Sequence, residues 1–233
     1  MLCVGVINMV KTLIIADAHI GQKGVDSKHF KKILNSNISI SNIIILGDFI
    51  DLWRRKPHEV IIENGGAFEL LETYNTTYVK GNHDFVIDEF IDIDVDFCDK
   101  HKYAGYIFEH GHRLDYLTSN RSYIEIDDYY KFAKRMCYSD TETASIVSTI
   151  YEVFDNLKGL NKIMGHQTND YKTKLTLIDC LLDVSRHEKT IIGHFHYDYN
   201  SNKILSINAL CDGYYTLYDN YKGKFEQHNT KDL

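Results

Sequence analysis

The stretch Leu46-Gly47-Asp48-Phe49-Ile50-Asp51-Leu52-Trp53 decides the fold of this chain. It follows directly on the apolar run Ile43-Ile44-Ile45-Leu46, whose length, β-branched residues and terminal glycine are typical of a buried strand. The strand therefore presents the carboxylate of Asp48 at its carboxyl end. Open α/β sheets bind their ligands at that end of the strands, so this stretch predicts both a sheet and a site.

Four more stretches repeat this pattern of an apolar run followed by Asp, Asn or His. They are Leu13-Ile14-Ile15-Ala16 before Asp17-Ala18-His19, Thr77-Tyr78-Val79 before Gly81-Asn82-His83-Asp84, Tyr106-Ile107-Phe108 before His110-Gly111-His112, and Thr190-Ile191-Ile192 before Gly193-His194-Phe195-His196. Taken singly, each could be turn chemistry or an incidental histidine. Five such strand ends in one chain indicate instead a shared metal-ligand site at one edge of the sheet.

Composition sets limits on the class of protein. The chain has 233 residues, 44% of them hydrophobic and 25% charged, which predicts one large domain over residues 1–233 with a sizeable core. The net charge of −7 argues against an extended nucleic-acid surface, which needs basic residues to neutralise phosphates. A small anionic substrate stays compatible, because bound cations would dominate the local field.

Cysteine usage and hydropathy favour a cytoplasmic protein. The five cysteines are scattered without a CxxC motif, and their odd number argues against a disulfide framework. We expect no transmembrane segment, since no apolar stretch approaches the ~20 residues that a membrane span requires. Composition leaves the oligomeric state open.

The β pattern gives way to helix signals in the middle of the chain. Ser139-Asp140-Thr141-Glu142 has the pattern of a capping box, and apolar residues from Ile146 to Leu157 follow at helical spacing. We therefore predict a helical cap insertion over residues 117–162. The alternative is a pair of flanking helices that do not cover the site.

The remaining elements follow from periodicity and turn residues. Pro57 predicts the start of a helix that runs to about Tyr74 unless Gly65-Gly66 breaks it. A second helix is predicted over Lys172 to Arg186. We expect strands at 95–98 and 105–109 to form a hairpin around Lys100-His101-Lys102, and antiparallel strands in the tail after Lys203.

The candidate ligands form a mixed nitrogen and oxygen set without a thiolate: Asp17, His19, Asp48, Asn82, His110, His194 and His196. Such a set suits Mn, Fe, Zn, Co or Ni. Seven protein ligands are too many for one catalytic ion with an open position, but they suit two ions that share a bridging carboxylate. Two-metal sites of this kind clamp the attacking and leaving oxygens of an in-line displacement, the chemistry of phosphoester hydrolysis.

Together these blocks resemble the calcineurin-like metallophosphoesterases, and they occur in that family's order over nearly the whole chain. The resemblance implies an α/β fold, a four-layer α/β/β/α sandwich of two mixed sheets, which here would carry the helical cap insertion. It implies two divalent metal ions, with Mn expected. It assigns Asp17, His19 and His196 to one ion and Asn82, His110 and His194 to the other, with Asp48 as the bridge.

The resemblance also implies a mechanism. A metal-bridging hydroxide would attack phosphorus in line, hydrolysing a phosphodiester or pyrophosphate bond. His83 would contact the phosphate and protonate the leaving oxygen, while Asp51 would orient the imidazole of His83. Asn82, Trp53, Arg54 and Arg113 would contact a small phosphoester or nucleotide-type substrate, although the last three also fit a core tryptophan and rim salt bridges.

A narrower similarity is to the UDP-2,3-diacylglucosamine pyrophosphohydrolase-like branch. It rests on the stretch from Gly47 to Arg54 and on His110-Gly111-x-Arg113-Leu114-Asp115. The chain departs from that branch by having His112 after His-Gly, where Asp is common. It also has His83 where the characterised lipid-sugar enzymes carry arginine.

Two other functions stay open from sequence. One is a nuclease or cyclic-nucleotide phosphodiesterase on the same metal pair, and the other is a non-catalytic scaffold that retains the fold. All seven ligands and His83 are present, which favours an enzyme. The remaining histidines are predicted to be structural: His29, His58, His101, His166, His187 and His228.

Overall fold

The computed structural model describes residues 10–22, 24–36, 38–118, 126–138, 171–182 and 188–233. Within these ranges no helix is long and apolar enough to cross a membrane. The insertion predicted at 117–162 lies largely outside the described residues, and so do His166 and His187.

Two groups of elements are described. The strands are β1 (Lys11–Ile15), β2 (Ile40–Leu46), β3 (Asn75–Val79), β4 (Asp96–Cys98), β5 (His101–Tyr103), β6 (Tyr106–Phe108), β7 (Lys189–Ile192), β8 (Tyr199–Asn200), β9 (Ile204–Ser206), β10 (Tyr214–Asp219) and β11 (Lys224–Asn229). The helices are α1 (Lys28–Leu34), α2 (Pro57–Glu72), α3 (His112–Thr118), α4 (Ile126–Tyr138) and α5 (Tyr171–Leu181), and short 3-10 turns occur at Ile87–Glu89 and Thr230–Asp232.

The strands form two mixed sheets. The first has the order β11-β10-β1-β2-β3-β4, with β1 to β4 parallel and the last two strands of the chain added antiparallel at one edge. The second has the order β5-β6-β7-β9-β8, with β6, β7 and β9 parallel. The parallel strands of each sheet therefore end together at one edge.

Three apolar cores separate four layers. Alternate residues of β1 face opposite ways, so Leu13 and Ile15 pack with α1 and α2, whereas Ile14 packs toward the second sheet. On β7, Ile191 faces the first sheet and Ile192 packs with α3 and α5. The order helix, sheet, sheet, helix confirms the predicted α/β sandwich of two mixed sheets.

The hairpin predicted around Lys100-His101-Lys102 is wrong. β4 instead extends the first sheet in parallel with β3, and the hairpin joins β5 to β6. The turn lies at Ala104 and Gly105, whose φ angles of 50° and 81° match a two-residue hairpin turn. Alanine is an uncommon residue for this backbone, so turn composition did not reveal the hairpin.

Two further expectations change in detail. Helix α2 continues through Gly65 and Gly66, because its apolar face packs against the first sheet and compensates for their low helix propensity. The first of the strands predicted in the tail, β9, joins the second sheet in parallel with β7. The other two, β10 and β11, pair with each other in the expected antiparallel arrangement.

Helix α4 is the described part of the predicted insertion. Its residues Phe132 and Tyr130 contact the rings of Trp53 and Phe85, with centroids 5.9 Å and 5.6 Å apart. Ala133, Met136 and Cys137 are buried in the same contact. The helix thus lies against the loops that follow β2 and β3, while its role as a cap stays a prediction.

Candidate metal centre

The predicted ligands converge where five strands end. Asp17 follows β1, Asp48 follows β2, Asn82 follows β3, His110 follows β6 and His194 follows β7. Backbone hydrogen bonds join these loops across the strand ends, including Asp17 N–H to the Gly47 carbonyl at 3.1 Å and Gly193 N–H to the His110 carbonyl at 3.0 Å. Both sheets therefore contribute to one site.

Most of these positions have an unusual backbone. Positive φ angles between 47° and 65° occur at Asp17, His19, Asp48, His194 and His196. L-residues adopt this left-handed region at a cost, and such residues concentrate at functional sites that the surrounding structure holds in place. Among the described residues, the only other non-glycine residue with positive φ is Ala104 in the hairpin turn.

Glycines provide the space for the ligand side chains. A Cβ atom on Gly81 would overlap Oδ1 of Asp48, and one on Gly193 would lie 2.6 Å from Oδ2 of Asp17. Both approaches are far closer than van der Waals contact, so any larger residue would displace a carboxylate. The two glycines therefore form the walls against which the carboxylates rest.

One group of potential ligands comprises Asp17, His19 and His196, with ligand atoms within 4.8 Å of one another. Oδ1 of Asp17 lies 3.5 Å from Nε2 of His196 and 4.0 Å from Nε2 of His19. Asp17 and His19 are buried, whereas the side chain of His196 is 33% exposed. These three are the residues assigned to one ion on the sequence.

A second group comprises Asp48, His110 and His194. Oδ2 of Asp48 lies 3.2 Å from Nε2 of His110. Asp48 also belongs to a third group with His19 and His83, so its carboxylate reaches both halves of the site. That position is the one expected of a bridging carboxylate.

Several buried polar atoms of the site have no hydrogen-bond partner among the described residues. They include Oδ1 of Asp17, Oδ1 of Asn82 and Nε2 of His110. Buried polar atoms normally have partners, and leaving them unpaired costs ~1–3 kcal/mol each. Carboxylate, amide and imidazole lone pairs of this kind fit divalent cations with mixed nitrogen and oxygen coordination.

Partners on the far side of two of the imidazoles, those of His110 and His194, fix their orientation. Nδ1 of His110 donates to the Leu46 carbonyl at 2.8 Å, which leaves Nε2 facing the carboxylates. Nε2 of His194 lies 3.3 Å from Oδ2 of Asp115, and Lys174 pairs with that carboxylate at 2.8 Å. Such outer partners set the tautomer of metal-binding histidines.

For the ligand carboxylates and most of the imidazoles, interactions with neighbouring charges oppose the effect of burial on the pKa. Burial alone would raise the pKa of Asp48, but His110 and His83 hold it well below its usual value. Burial would likewise lower the pKa of His110, yet the charges of Asp48 and Asp17 raise it to about 9. The pKa of His19 falls to about 4, because burial and the neighbouring His83 disfavour its charged form.

His83 lies beside the ligands and not among the two assigned triads. Its backbone N–H donates to Oδ1 of Asp48 at 2.8 Å, and its Nδ1 lies 3.2 Å from Oδ1 of Asp51. Trp53 stacks on the imidazole with a centroid distance of 4.2 Å, and Arg54 pairs with Asp51 at 2.6 Å. Asp51 therefore holds one edge of the imidazole, and Trp53 holds one of its faces.

A cavity of about 260 Å³ is open in front of these groups. Its walls include Asp17, His19, Asp48, His83, His194 and His196, together with Arg54 and Gln22. The cavity brings the predicted proton donor and one predicted substrate contact, Arg54, beside the ligand groups. Trp53 supports the wall from behind His83, so its ring packs on a site residue and on α4.

Arg113 lies in a separate, neighbouring cavity of about 320 Å³. It pairs with the buried Glu109 at 3.3 Å, and Lys100 pairs with the same carboxylate at 2.8 Å. His112, whose pKa is lowered strongly by burial, also lines this cavity and belongs to none of the ligand groups. His110, one of the predicted ligands, also lines this cavity, so Arg113 lies beside the ligand groups but outside the cavity that most of them line.

Sequence reasoning did not identify Asp84 as a support of the site. Its carboxylate accepts hydrogen bonds from the N–H groups of Phe49 and Gly81 and from the Tyr78 hydroxyl, at 2.6–2.7 Å. It thus ties the loop that follows β3 to the loop that follows β2. Burial and the charge of Asp48 raise its pKa to about 6.

Asp115 and Asp212 were also not assigned a role from sequence. Asp115 is one helical turn beyond Gly111 and orients His194, while Asp212 lies 3.3 Å from Nδ1 of His196. A His–Gly block followed by a carboxylate at helical spacing would have indicated Asp115. No sequence pattern would have indicated Asp212, because its contact with His196 depends on how the chain runs between β9 and β10.

No protein-family model matches the chain, and no curated protein matches its sequence. Among solved structures, the chain is similar to Pseudomonas putida nuclease MPE at 19% identity and a TM-score of 0.36, covering 42% of this chain and 53% of the nuclease. This chain thus spans about half of that nuclease.

Two further solved structures are similar over more of the chain. A single mutant of Vps29 from Entamoeba histolytica gives 12% identity and a TM-score of 0.38, covering 94% of this chain and 98% of that one. The protein TT1561 of Thermus thermophilus gives 11% identity, the same coverage and a TM-score of 0.41. Similarities with TM-scores in this range do not establish a function for the chain.

Proposed function

We propose that this protein is a dinuclear-metal-dependent phosphoesterase that hydrolyses a phosphodiester or pyrophosphate bond. The observation that carries the proposal is the contact between two ligand groups through buried carboxylates. Oδ1 of Asp17 is 3.5 Å from Nε2 of His196 and 3.9 Å from Nε2 of His110, which belongs to the other group. Two divalent cations would fit these positions, since mixed imidazole and carboxylate donors suit Mn, Fe, Zn, Co or Ni, and manganese is the ion we propose.

When bound, the two ions would activate water for in-line attack and offset charge on the phosphoryl oxygens. The protein supplies the rest. His83, held by Asp51 and Trp53, would donate a proton to the leaving oxygen, since the carboxylates of Asp51 and Asp48 outweigh burial and raise its pKa. Arg54 lines the same cavity and would pair with a substrate phosphate.

The substrate class is supported by the size and polarity of the cavity. A volume of about 260 Å³ with carboxylate, imidazole and guanidinium walls accommodates a phosphoryl group and a small part of the groups attached to it. We therefore propose a small phosphoester or nucleotide-type substrate. The Arg113 cavity is adjacent and is lined by the predicted ligand His110, so a substrate that extends past His110 would contact Arg113.

The test is hydrolysis of bis-p-nitrophenyl phosphate, p-nitrophenyl phosphate and a UDP-sugar pyrophosphate by the full chain. We expect cleavage that depends on Mn²⁺ and is abolished by EDTA, and the preferred compound distinguishes diester, monoester and pyrophosphate. Asp48→Ala is the matched negative control for contaminating phosphatases. Two bound metals without cleavage of any compound would support the scaffold alternative instead.

A further inference from the structure

A fourth group of potential ligands lies outside the assigned centre. Sγ of Cys211 is 3.8 Å from Nδ1 of His196, and Oδ2 of Asp212 is 3.3 Å from the same nitrogen. His196 thus has Asp17 at its Nε2 edge and this pair at its Nδ1 edge. The other three ligand groups among the described residues contain no cysteine.

The two separations from Nδ1 of His196 are close to those of tetrahedral zinc, and all three ligand atoms lie within 4.8 Å of one another. Zinc–sulfur bonds of ~2.3 Å and zinc–nitrogen or zinc–oxygen bonds of ~2.0–2.1 Å separate sulfur from nitrogen by ~3.5 Å and oxygen from nitrogen by ~3.3 Å. The observed separations of 3.8 Å and 3.3 Å need only a small adjustment of side chains. A thiolate in the set favours zinc over manganese, because manganese prefers harder oxygen ligands.

The backbone holds the group in place. The N–H groups of Leu210 and Cys211 donate to the carbonyls of Ala16 and Asp17, at 2.8 Å and 3.2 Å. This pairing fixes the loop before β10 against the end of β1. Entry from solvent is open, since the Asp212 side chain is 55% exposed and Cys211 also lines a surface cavity of about 380 Å³.

We propose that His196, Cys211 and Asp212 form an inhibitory zinc site that shares one imidazole with the catalytic centre. This inference rests on the proposed function for its regulatory meaning. Zinc would bind Nδ1 of His196, Sγ of Cys211 and Oδ2 of Asp212, with water in the fourth position. The Cys211 thiol would release its proton to the buffer on binding.

While the shared imidazole keeps its one proton, it can bind a metal through only one nitrogen, so the two occupancies exclude each other; both would need loss of that proton and a bridging imidazolate. A neutral imidazole carries one N–H and has one free lone pair. When Nδ1 holds zinc, the proton stays on Nε2 and faces Asp17. When Nε2 holds the catalytic ion, the proton lies on Nδ1 and is donated toward Asp212. Zinc at the shared site therefore removes His196 from the catalytic ion.

Cobalt substitution tests the site without any activity assay. We expect Co²⁺ added to the full chain to give a thiolate-to-cobalt charge-transfer band in the near ultraviolet. The band should persist in Cys180→Ser, a control for an exposed thiol on α5, and vanish in Cys211→Ser. Asp212→Asn, which keeps the thiol, should retain the band but require more cobalt. No band in the native chain, or a band that survives Cys211→Ser, overturns the site.

Manganese release tests the exclusion. Zinc titrated into the manganese-loaded chain should free manganese, detected by electron paramagnetic resonance. In Cys211→Ser the zinc required should rise at least about tenfold, the size of effect seen when a residue supporting a metal site is lost. Equal release in both proteins overturns the exclusion. If no manganese binds, the dinuclear function fails, whereas the cobalt band still decides the zinc site.

Discussion

Nδ1 of His83 lies 3.2 Å from Oδ1 of Asp51, a carboxylate with no exposed surface. The other Asp51 oxygen pairs with Arg54 at 2.6 Å, so the carboxylate is held from both sides. The imidazole is oriented in turn, with its second nitrogen available to the cavity. This arrangement is what a positioned general acid requires.

His83→Ala should reduce turnover strongly while the protein keeps its metals. The ring lies beside the ligand triads, so its loss removes a proton donor, an effect of ~10²–10⁴-fold on turnover. Steady-state kinetics combined with metal analysis would measure both quantities. In contrast, Asp48→Ala should lose metal and activity together. Full activity in His83→Ala would exclude the assigned role.

Asp51→Asn should shift the pH profile to lower pH. Burial lowers the pKa of His83, but the charges of Asp51 and Asp48 outweigh it and raise the value. A general acid acts in its protonated form, so activity falls as pH rises through its pKa. Removing the Asp51 charge lowers that pKa, and the alkaline fall in turnover should begin at lower pH. An unchanged alkaline limb would contradict the role of Asp51.

Gly81→Ala should impair metal binding through the backbone wall of the site. The added Cβ would overlap Oδ1 of Asp48, so the carboxylate must move. Gly65→Ala in α2 is the matched control, because nothing lies within 4 Å of its added methyl. That change should stabilise the chain by ~0.4–1 kcal/mol in denaturant unfolding. Equal metal contents in the two variants would refute the prediction.

Asp115→Asn should weaken metal binding without removing a ligand. The carboxylate is 3.3 Å from Nε2 of His194, and loss of such a partner typically costs ~10–100-fold in affinity or activity. Glu188→Gln provides a control, since that carboxylate pairs with Lys102 on the exposed surface. Isothermal titration calorimetry with Mn²⁺ would compare the manganese affinities of the two variants. Equal manganese affinities in both variants would show that Asp115 does not support His194.

Metal should stabilise the folded chain. The ligands of the two groups come from separate loops, so a site of this geometry exists only in the folded protein. Manganese at about 100 times its Kd would add ~2.7 kcal/mol, and thermal unfolding should therefore shift upward with Mn²⁺ and back with EDTA. Asp48→Ala should show little shift. A melting temperature insensitive to manganese would argue against a preformed centre.

The features that could be predicted from sequence are those that depend on residues close together in the chain. The strand before Asp48 and the four similar runs have an apolar period and a polar terminus, so the two sheets and the convergence of their ends follow. The alternation of Leu13 and Ile14 between two cores follows from strand geometry. These are local patterns with one physical interpretation.

The remainder depends on contacts between distant residues. β4 pairs in parallel with β3, the strand before it, and not with a strand that follows it, and no residue pattern distinguishes those partners. Asp212 lies beside His196 where the chain crosses from β9 in the second sheet to β10 in the first, and no local residue pattern indicates that contact. Arg113 was predicted to contact substrate, and its ion pair with Glu109, which also pairs with Lys100, places it in a neighbouring cavity.

The left-handed backbone at the ligand positions has a consequence for how this protein could change. A left-handed backbone costs an L-residue roughly 1–2 kcal/mol relative to glycine, and less for aspartate, whose side chain can hydrogen-bond locally. Replacing Asp17, His19 or His196 by glycine would relieve that strain while abolishing a ligand. In the metal-free chain, losing a ligand would thus bring a gain in thermal resistance, whereas with metal bound the lost binding energy would outweigh the relieved strain. Stability would favour keeping the ligands only where metal is present.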